Sequence, residues 1–408
     1  MFQYLKEYFI NPPLCDDCGP LPVIHWQNYL NTLLESFLPS VYLPYSFNYF
    51  IEKSFIDLFC LLKLIKVEEN FERSKISSKI SLRTTVFMDE AKKRGIKFSV
   101  LKGPVGYLNQ FYMAINGRKY LFEGLPRAEW LSKKSIHRID DKIFVKNELV
   151  KIGAPIAEGK AFNHFNQRKA LKYGEQLGFP LIVKPRAGSI SHHITADIKN
   201  KNELKEAIYK TLRYSPFFVV EKYLEDMNVY RATVIDEENI ACVKRVAAHI
   251  IADGKYSIKK LIEIKNKDSR RGNPRQKDTT LYKLVINKTS EKLLAEQGYN
   301  FNSVPEKGEI IYLQEKVILD LGADLFEVSR NMHWDNIELF KKIASLFNVK
   351  LVGIDFIAED ISKSWKEQRC AVIELNSLPY IDMHHFPTYG EPVEISKHLC
   401  DMVVKYYS

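Results

Sequence analysis

Two short apolar segments late in the sequence carry oxygen-bearing side chains that could bind a cation. Val352-Gly-Ile-Asp355-Phe and Val372-Ile-Glu374-Leu-Asn376 both have the composition of buried strands. Side chains at positions i and i+2 of a strand point to the same face, so Glu374 and Asn376 share a face. If the two strands are neighbours, Asp355 joins them, and three hard oxygen ligands suit Mg²⁺ that also binds phosphate. Taken alone, the Glu-x-Asn pattern fits a solvated strand end equally well.

Two lysines are candidates for binding phosphate. Leu181-Ile-Val-Lys184 is a short apolar strand that leads into a loop with Gly188 and Ser189. A lysine at that place supplies a point charge, and the N–H groups of the loop can surround phosphate oxygens. Lys142, at the start of a predicted helix, is the second candidate.

The segment Val219-Val-Glu221-Lys-Tyr-Leu224 passes from a predicted strand into a linker. It offers free edge backbone groups and a carboxylate, which are the groups that an adenine amino group and a ribose need. The sequence therefore predicts that a nucleotide binds between the lysines and this segment.

Composition limits the alternatives. The 408 residues are 46% hydrophobic and carry 60 basic and 50 acidic side chains, a net charge of +10. This excludes an acidic disordered chain and permits a large core. We predict neither nucleic-acid nor membrane binding, because no basic stripe with interleaved aromatic residues is present and the apolar stretch Phe55 to Ile65 is too short to span a bilayer. The six scattered cysteines and the absence of an export signal predict reduced thiols in the cytoplasm. The lone pair Cys15 and Cys18 is not expected to bind metal.

Hydrophobic periodicity predicts an α+β order with mostly antiparallel strands. Predicted helices cover 24–37, 49–65, 82–94, 141–152, 166–177, 201–212, 335–347 and 393–406. Predicted strands cover 96–101, 111–115, 119–122, 181–184, 217–224, 229–235, 240–246, 310–313, 352–358 and 371–375. Asn116-Gly117 predicts a tight hairpin turn.

The ordered motifs resemble the ATP-grasp superfamily of carboxylate–amine ligases, and most of all the ATP-grasp modules of cyanophycin synthetases and bifunctional glutathione synthetases. The resemblance spans about residues 135 to 405. It rests on the following segments: Asp141-Lys142, Val183-Lys184-Pro185, Glu221 to Arg231, Ala252 to Gly254, Asn266 to Gly272, Val304-Pro305, Gly353-Ile-Asp355, Glu374 to Pro379, Met383-His384 and Pro387 to Gly390.

The resemblance implies a role for each matched residue. It implies ATP as cosubstrate and two Mg²⁺ ions, with Mn²⁺ as an alternative, and it implies an acylphosphate that an amine then attacks. Phosphate contacts would come from Lys142, Lys184, Gly188 and Ser189, adenine and ribose contacts from Glu221, Lys222, Leu224 and Glu225 or Asp226, and metal ligands from Asp355, Glu374 and Asn376. Substrate-binding or catalytic candidates are Arg231, Arg245, Arg270, Arg271 and His384.

The sequence also departs from the family pattern. The loop after Lys184 has one glycine and reads Gly188-Ser-Ile-Ser-His192-His193, and Gln314 stands where the family has arginine. Asp320 and Asp382 make the predicted acceptor side less basic, so we do not expect poly-aspartate and aspartate as substrates. These departures leave open a second hypothesis, a nucleotide-binding or scaffolding protein without turnover.

We predict three regions: a helical segment over residues 1–75, a small α/β domain resembling a pre-ATP-grasp domain over 76–135, and an ATP-grasp domain over 136–408 with a small lobe at about 180–228. The predicted partners are small-molecule or peptide carboxylates and amines, and a homo-oligomer is compatible with the sequence.

Overall fold

A computed structural model describes residues 25, 28–30, 32–34, 45–69, 79–104, 106–127, 139, 141–186, 193–274 and 276–407. The helices are α1 (Tyr45–Leu61), α2 (Leu82–Lys93), α3 (Lys142–Lys151), α4 (Gln167–Leu177), α5 (Lys201–Leu212), α6 (Ile258–Lys265), α7 (Lys288–Glu296), α8 (Trp334–Phe347), α9 (Asp382–His385) and α10 (Ser396–Tyr407).

The strands are β1 (Lys66–Glu68), β2 (Lys97–Gly103), β3 (Gly106–Ile115), β4 (Arg118–Glu123), β5 (Gly159–Asn163), β6 (Leu181–Pro185), β7 (Thr195–Ile198), β8 (Phe217–Lys222), β9 (Asn228–Ile235), β10 (Asn239–Val246), β11 (His249–Ile251), β12 (Arg271–Gly272), β13 (Leu281–Tyr282), β14 (Ile310–Tyr312), β15 (Asp324–Glu327), β16 (Leu351–Ala358) and β17 (Cys370–Asn376). The predicted α+β class is confirmed.

The chain divides into two compact units. Unit 1 contains residues 1–42, 137–227 and 369–374, and unit 2 contains 43–136, 228–368 and 375–408. Each unit therefore draws on segments that are far apart in the sequence. The predicted domain boundaries stay a prediction.

Unit 1 is built on an antiparallel sheet with the strand order β5-β8-β6-β7. Helices α4 and α5 pack on it through a buried apolar cluster that includes Leu181, Leu204 and Phe218. The side chain of Asn200 caps α5 by accepting hydrogen bonds from the N–H groups of Asn202 and Glu203, which are among the donors that a helix start leaves unsatisfied.

Unit 2 contains a sheet in which four strands follow the order β15-β10-β9-β16. One face of β9 and β16 is apolar and packs on α8, where the rings of Phe340 and Phe356 meet edge to face at 5.3 Å. Because strand side chains alternate, the residues between these apolar ones point to the opposite face.

A second sheet of unit 2 has the order β1-β2-β3-β4. Its core is shared with α2 and α10, and includes Phe87, Phe111, Leu399 and Val403. Asn116 and Gly117 have φ of 46° and 76°, which confirms the predicted tight turn between β3 and β4.

Three predicted elements end at different residues for local reasons. The helix predicted to reach Ile65 stops at Leu61, since Lys63 adopts a φ of 57° that a helix cannot continue through. Strand β8 ends at Lys222 rather than Leu224, because the residue opposite Tyr223 is Pro180, which accepts from the N–H of Tyr223 but has no N–H to donate in return. The last helix starts at Ser396 rather than Val393, whose N–H bonds to the carbonyl of His384.

No helix in the described ranges is both long and apolar enough to cross a membrane. The predicted cytoplasmic location stays a prediction. Among the described residues, Cys60, Cys242, Cys370 and Cys400 are free, whereas Cys15 and Cys18 lie outside the described residues.

Replacing Phe87 by alanine should destabilise unit 2 by about 3–5 kcal/mol, since the side chain is fully buried between α2 and the β-sheet and its loss leaves a cavity. Phe50→Ala, at an exposed position of α1 in the same unit, should change stability by less than about 0.5 kcal/mol. Guanidinium unfolding of both variants measures the difference. Equal effects of the two substitutions would contradict the packing.

Candidate nucleotide and ligation site

In unit 1, Glu221 accepts from two lysines, of which Lys184 is buried and Lys146 is partly buried. Lys184, near the end of β6, places its Nζ 2.7 Å from Oε2 of Glu221. Lys146, on α3, places its Nζ 2.6 Å from Oε1 of the same carboxylate and 2.7 Å from the carbonyl oxygen of Ala157. Both carboxylate oxygens are therefore hydrogen-bonded to an ammonium group, and the cluster keeps one net positive charge.

Glycine at position 159 allows Glu221 to lie in this place. Gly159 on β5 stands opposite Glu221 on β8. A Cβ at residue 159 would lie 2.3 Å from Cγ of Glu221 and 2.7 Å from the carbonyl oxygen of Val220. Any side chain there would push the carboxylate away from the lysines.

The charge of this cluster sets the titration of its members. Burial alone raises the pKa of Glu221, but the ammonium groups of Lys184 and Lys146 outweigh burial and hold that pKa below its usual value. Burial lowers the pKa of Lys146 in spite of its carboxylate partner. The buried carboxylate is thus charged at neutral pH.

Lys142 begins α3, one turn before Lys146, so both lysines lie on one helix face. The Nζ of Lys142 is 3.4 Å from Oε2 of Glu374, and the lysine side chain is 6% exposed. The helix start is fixed by Asp141, which accepts from the N–H groups of residues 143 and 144 and binds both Nε and NH2 of Arg186. The two predicted phosphate lysines therefore both lie in unit 1, each paired with a carboxylate.

In the segment predicted to bind adenine, the side chain of Lys222 contacts the protein itself. The ammonium of Lys222 donates to the carbonyl oxygens of Gly178 and Phe179, at 3.0 and 2.8 Å. Leu224 is half-buried and Glu225 and Asp226 are exposed. Lys222 thus anchors the turn before β6, and the roles of these residues in nucleotide binding stay predictions.

The loop predicted to surround phosphate, with Gly188, Ser189 and His192, lies outside the described residues. His193, just after it, stacks on Tyr214 with ring centroids 3.9 Å apart and meets His25 edge to face at 4.7 Å. His193 therefore packs in an aromatic cluster of unit 1.

The polar face of the sheet in unit 2 carries a second group of charges. Arg231 on β9 and Asp355 on β16 are directly opposite each other. Arg231 donates from Nε and NH2 to the two carboxylate oxygens, at 2.5 and 2.9 Å, and Arg245 on β10 donates from NH2 to Oδ1 at 3.0 Å. The structure thus brings three predicted site residues together.

His384 is fully buried against the same face. Its Nε2 is 2.9 Å from Oγ1 of Thr233 and its Nδ1 is 3.4 Å from Oε2 of Glu327. A histidine held on both ring nitrogens positions the segment that follows β17, and its predicted contact with substrate stays a prediction.

Arg270 and Arg271 are engaged in contacts within unit 2. Arg271 is 1% exposed and bonds to Asp324, which also accepts from Lys265 at 2.5 Å. Arg270 pairs with Asp268 through Nε and NH2 and donates to the carbonyl oxygen of Thr388. These contacts give both arginines a structural role, and their predicted contact with substrate is not tested by them.

The positions that depart from the family pattern are buried to different degrees. Asp382 is 4% exposed and accepts from Oγ1 of Thr280 at 2.7 Å, and burial raises its pKa. Gln314 is buried and donates to the carbonyl oxygen of Val285 and to Oγ of Ser290. Asp320 lies, partly buried, in a short 3₁₀ turn. Gln314 therefore fills its site with hydrogen bonds where arginine was expected.

The predicted metal ligands fit Mg²⁺ by their chemistry. Asp355 and Glu374 supply carboxylate oxygens and Asn376 an amide oxygen, which are the hard donors that Mg²⁺ prefers. The Nδ2 atom of Asn376 is buried without a hydrogen-bond partner among the described residues. Across those same residues, the structure places no three histidine, cysteine, aspartate or glutamate side chains together as metal ligands.

Sequence reasoning missed Lys146, Asp324 and Glu327. The spacing of Lys142 and Lys146 by one helical turn was a usable signal for the first. Asp324 and Glu327 lie on a four-residue strand that is too short for periodicity to identify.

Residues 150–285 match the family described as the D-ala D-ala ligase C-terminus. The chain is 30% identical over 324 residues to a cyanophycin synthetase of Trichormus variabilis, covering 78% of this chain and 34% of that one. It is 26% identical over 332 residues to a bifunctional glutathione biosynthesis protein of Clostridium perfringens, covering 79% and 41%. The chain therefore spans about a third to two fifths of the length of these relatives.

Among solved structures, a bifunctional glutathione synthetase from Pasteurella multocida superimposes with a TM-score of 0.61 at 22% identity. The match covers 80% of this chain and 44% of that one. This similarity shows a shared fold.

The Glu221 cluster predicts a pH-dependent contribution to stability. Since the folded-state pKa lies below the ordinary value of 4.5, the contribution is present above that value and is lost as pH falls through the folded pKa. Glu221→Gln should therefore destabilise unit 1 at pH 7 by about 3–5 kcal/mol, because both lysines lose their counter-charge, and by much less once wild-type Glu221 is protonated. Denaturant unfolding of both proteins, from pH 7 down to the pH at which Glu221 is protonated, measures both effects.

Glu175→Gln is the matched control, since Glu175 pairs with Lys201 on the surface of the same unit. We expect it to change stability little at either pH. A Glu221→Gln effect that is independent of pH would contradict the ionic account of the cluster.

Proposed function

We propose that this chain, which belongs to the ATP-grasp superfamily, joins a carboxylate to an amine at the expense of ATP. In the first step a carboxylate oxygen attacks the γ-phosphorus, and ADP leaves. In the second step the amine attacks the carbonyl carbon of the acylphosphate, and phosphate and a proton leave as the amide forms.

The observation that carries this proposal is the placement of Lys142 and Lys184. Each is buried in unit 1, and each holds a carboxylate, Glu374 or Glu221. A transferring phosphoryl group carries dense negative charge, so catalysis depends mainly on fixed cations and positioning. Lysines already ordered by ion pairs can act on phosphate oxygens with little reorganisation.

The other residues of unit 1 would serve the nucleotide. We assign the backbone of residues 222–224 to adenine and Glu225 to the ribose, while the Glu221 carboxylate keeps Lys184 and Lys146 in position. Gly188 and Ser189 stay assigned to the phosphates by the resemblance alone.

Asp355, Glu374 and Asn376 would hold Mg²⁺, which neutralises phosphate charge when it is bound. The presence of two ions and the use of Mn²⁺ are part of the proposal. Arg231 and Arg245, which bind Asp355, are the cations proposed to face the acyl group and the phosphate.

We propose an amino acid or short peptide as at least one substrate, because the named relatives build cyanophycin and glutathione. The aspartates at 320 and 382 favour substrates other than poly-aspartate and aspartate. His384, buried between Thr233 and Glu327, would shape this acceptor side.

Nucleotide binding can be tested without knowing the substrates. A non-hydrolysable ATP analogue should bind the wild type tightly in calorimetry when Mg²⁺ is present, and Glu374→Ala should weaken Mg²⁺-dependent binding by at least about tenfold, the effect of losing a ligand. Lys201→Ala, at an exposed pair in unit 1, is the control and should bind as the wild type does. A folded wild type that binds no nucleotide would refute the proposal.

Turnover separates a ligase from a scaffold without activity. With pools of amino acids and dipeptides, we expect ADP and phosphate release that falls at least about 100-fold in Lys184→Ala, because a fixed cation on the phosphates is removed. Lys201→Ala should retain activity. Mg²⁺-dependent nucleotide binding without turnover in any pool would instead support the scaffold hypothesis.

A further inference from the structure

The carboxylate of Asp355 is bound by two arginines at once. Arg231 and Arg245 both donate to its Oδ1 atom, at 2.5 and 3.0 Å, and Arg231 also reaches Oδ2. Two guanidinium groups therefore bind one carboxylate at this place. A divalent cation that binds Asp355 has to approach an oxygen already shared by two positive groups.

Arg231 is fixed in its place. Its Cα is the cross-strand partner of Asp355, which allows the two-nitrogen fork to face both carboxylate oxygens. Its side chain lies over Gly353, where an added Cβ would come within 3.3 Å of its Cδ and NH1 atoms. The Arg231 side chain is 5% exposed, so it has little room to move.

Arg245 reaches the same carboxylate from farther away. It lies on β10, where its cross-strand partner on β9 is Val229, two residues from Arg231. Its contact with Asp355 is made through NH2 to Oδ1, and its side chain is 16% exposed. Releasing Arg245 would leave the fork of Arg231 intact, whereas releasing Arg231 would break two hydrogen bonds.

We propose that Arg245 is an exchangeable partner of Asp355, which it neutralises before metal arrives and releases when a divalent cation binds that carboxylate. The released guanidinium then faces the phosphate oxygens that enter with the metal. This inference rests on the proposed function, because it takes Asp355 as a metal ligand. Binding of the metal and positioning of Arg245 for phosphate thereby occur together.

The test measures metal affinity rather than turnover. Mn²⁺ is titrated into nucleotide-free protein, so that only the competition for Asp355 is measured, and unbound Mn²⁺ is measured by electron paramagnetic resonance. Arg245→Gln should bind Mn²⁺ about tenfold more tightly than the wild type, because the competing charge is gone. Arg245→Lys keeps that charge and should stay within about threefold of the wild type.

Arg330→Gln is the matched control. Arg330 pairs with Glu391 at the surface of unit 2, so the substitution removes the same charge at an exposed site. It should leave Mn²⁺ affinity unchanged. Near-ultraviolet circular dichroism checks that each variant keeps its fold. If Arg245→Gln unfolds, Arg245→Lys still tests the proposal. A large gain in Mn²⁺ affinity in that variant, which keeps the charge, would overturn it.

Unchanged or weaker Mn²⁺ binding by folded Arg245→Gln overturns the exchange. If the wild type still releases ADP in the substrate pools, the proposed function survives that outcome. If the wild type binds no Mn²⁺ even with nucleotide, both the metal site and the exchange are refuted.

Discussion

A carboxylate loses most of its hydration when it is buried, and it stays charged only if cations replace the water. The protein meets this constraint in the same way three times. Glu221 is held by Lys146 and Lys184, Asp355 by Arg231 and Arg245, and Asp324 by Lys265 and Arg271. In each case two cations share one anion. The first two clusters contain residues assigned to an anionic nucleotide, and the third joins β15 to the segment that carries Arg270.

The rest of the architecture follows from keeping these clusters ordered. Strands β9 and β16 place Arg231 and Asp355 side by side because the pair is in register, while the alternate residues bury an apolar face on α8. Glycine at 159 and at 353 removes the side chains that would collide with Glu221 and with Arg231. The two glycines therefore leave room for a charged neighbouring side chain.

Much of the fold was predictable from sequence because long elements have a clear period. The helix at 201–212 and the strands β9, β10 and β16 lie where periodicity placed them, within one residue or so. Helices α6 and α7, with eight and nine residues, and short strands such as β15, with four, were missed. Elements this short show little hydrophobic periodicity.

The candidate site was predictable in residue type but less so in partnership. The sequence named Lys184, Glu221, Arg231 and Asp355 as candidates without indicating that they form ion pairs within each unit. Lys146 was missed because its ion pair with Glu221 depends on which face of α3 it occupies. The predicted substrate contact of Arg271 stays a prediction, and its guanidinium bonds to Asp324. The sequence states which charged residues are present, but burial and strand register determine which of them form ion pairs.

The core that α10 shares with α2 and the N-terminal sheet of unit 2 has a consequence for synthesis on the ribosome. Phe87 and Phe111 are made early, whereas Leu399 and Val403, which complete their environment, emerge some 300 residues later. Most of unit 1, residues 137–227, emerges in between as one continuous stretch. Unit 1 can thus fold while the nascent chain is still growing, and the apolar surface of the early sheet must be kept from aggregating until the last helix arrives.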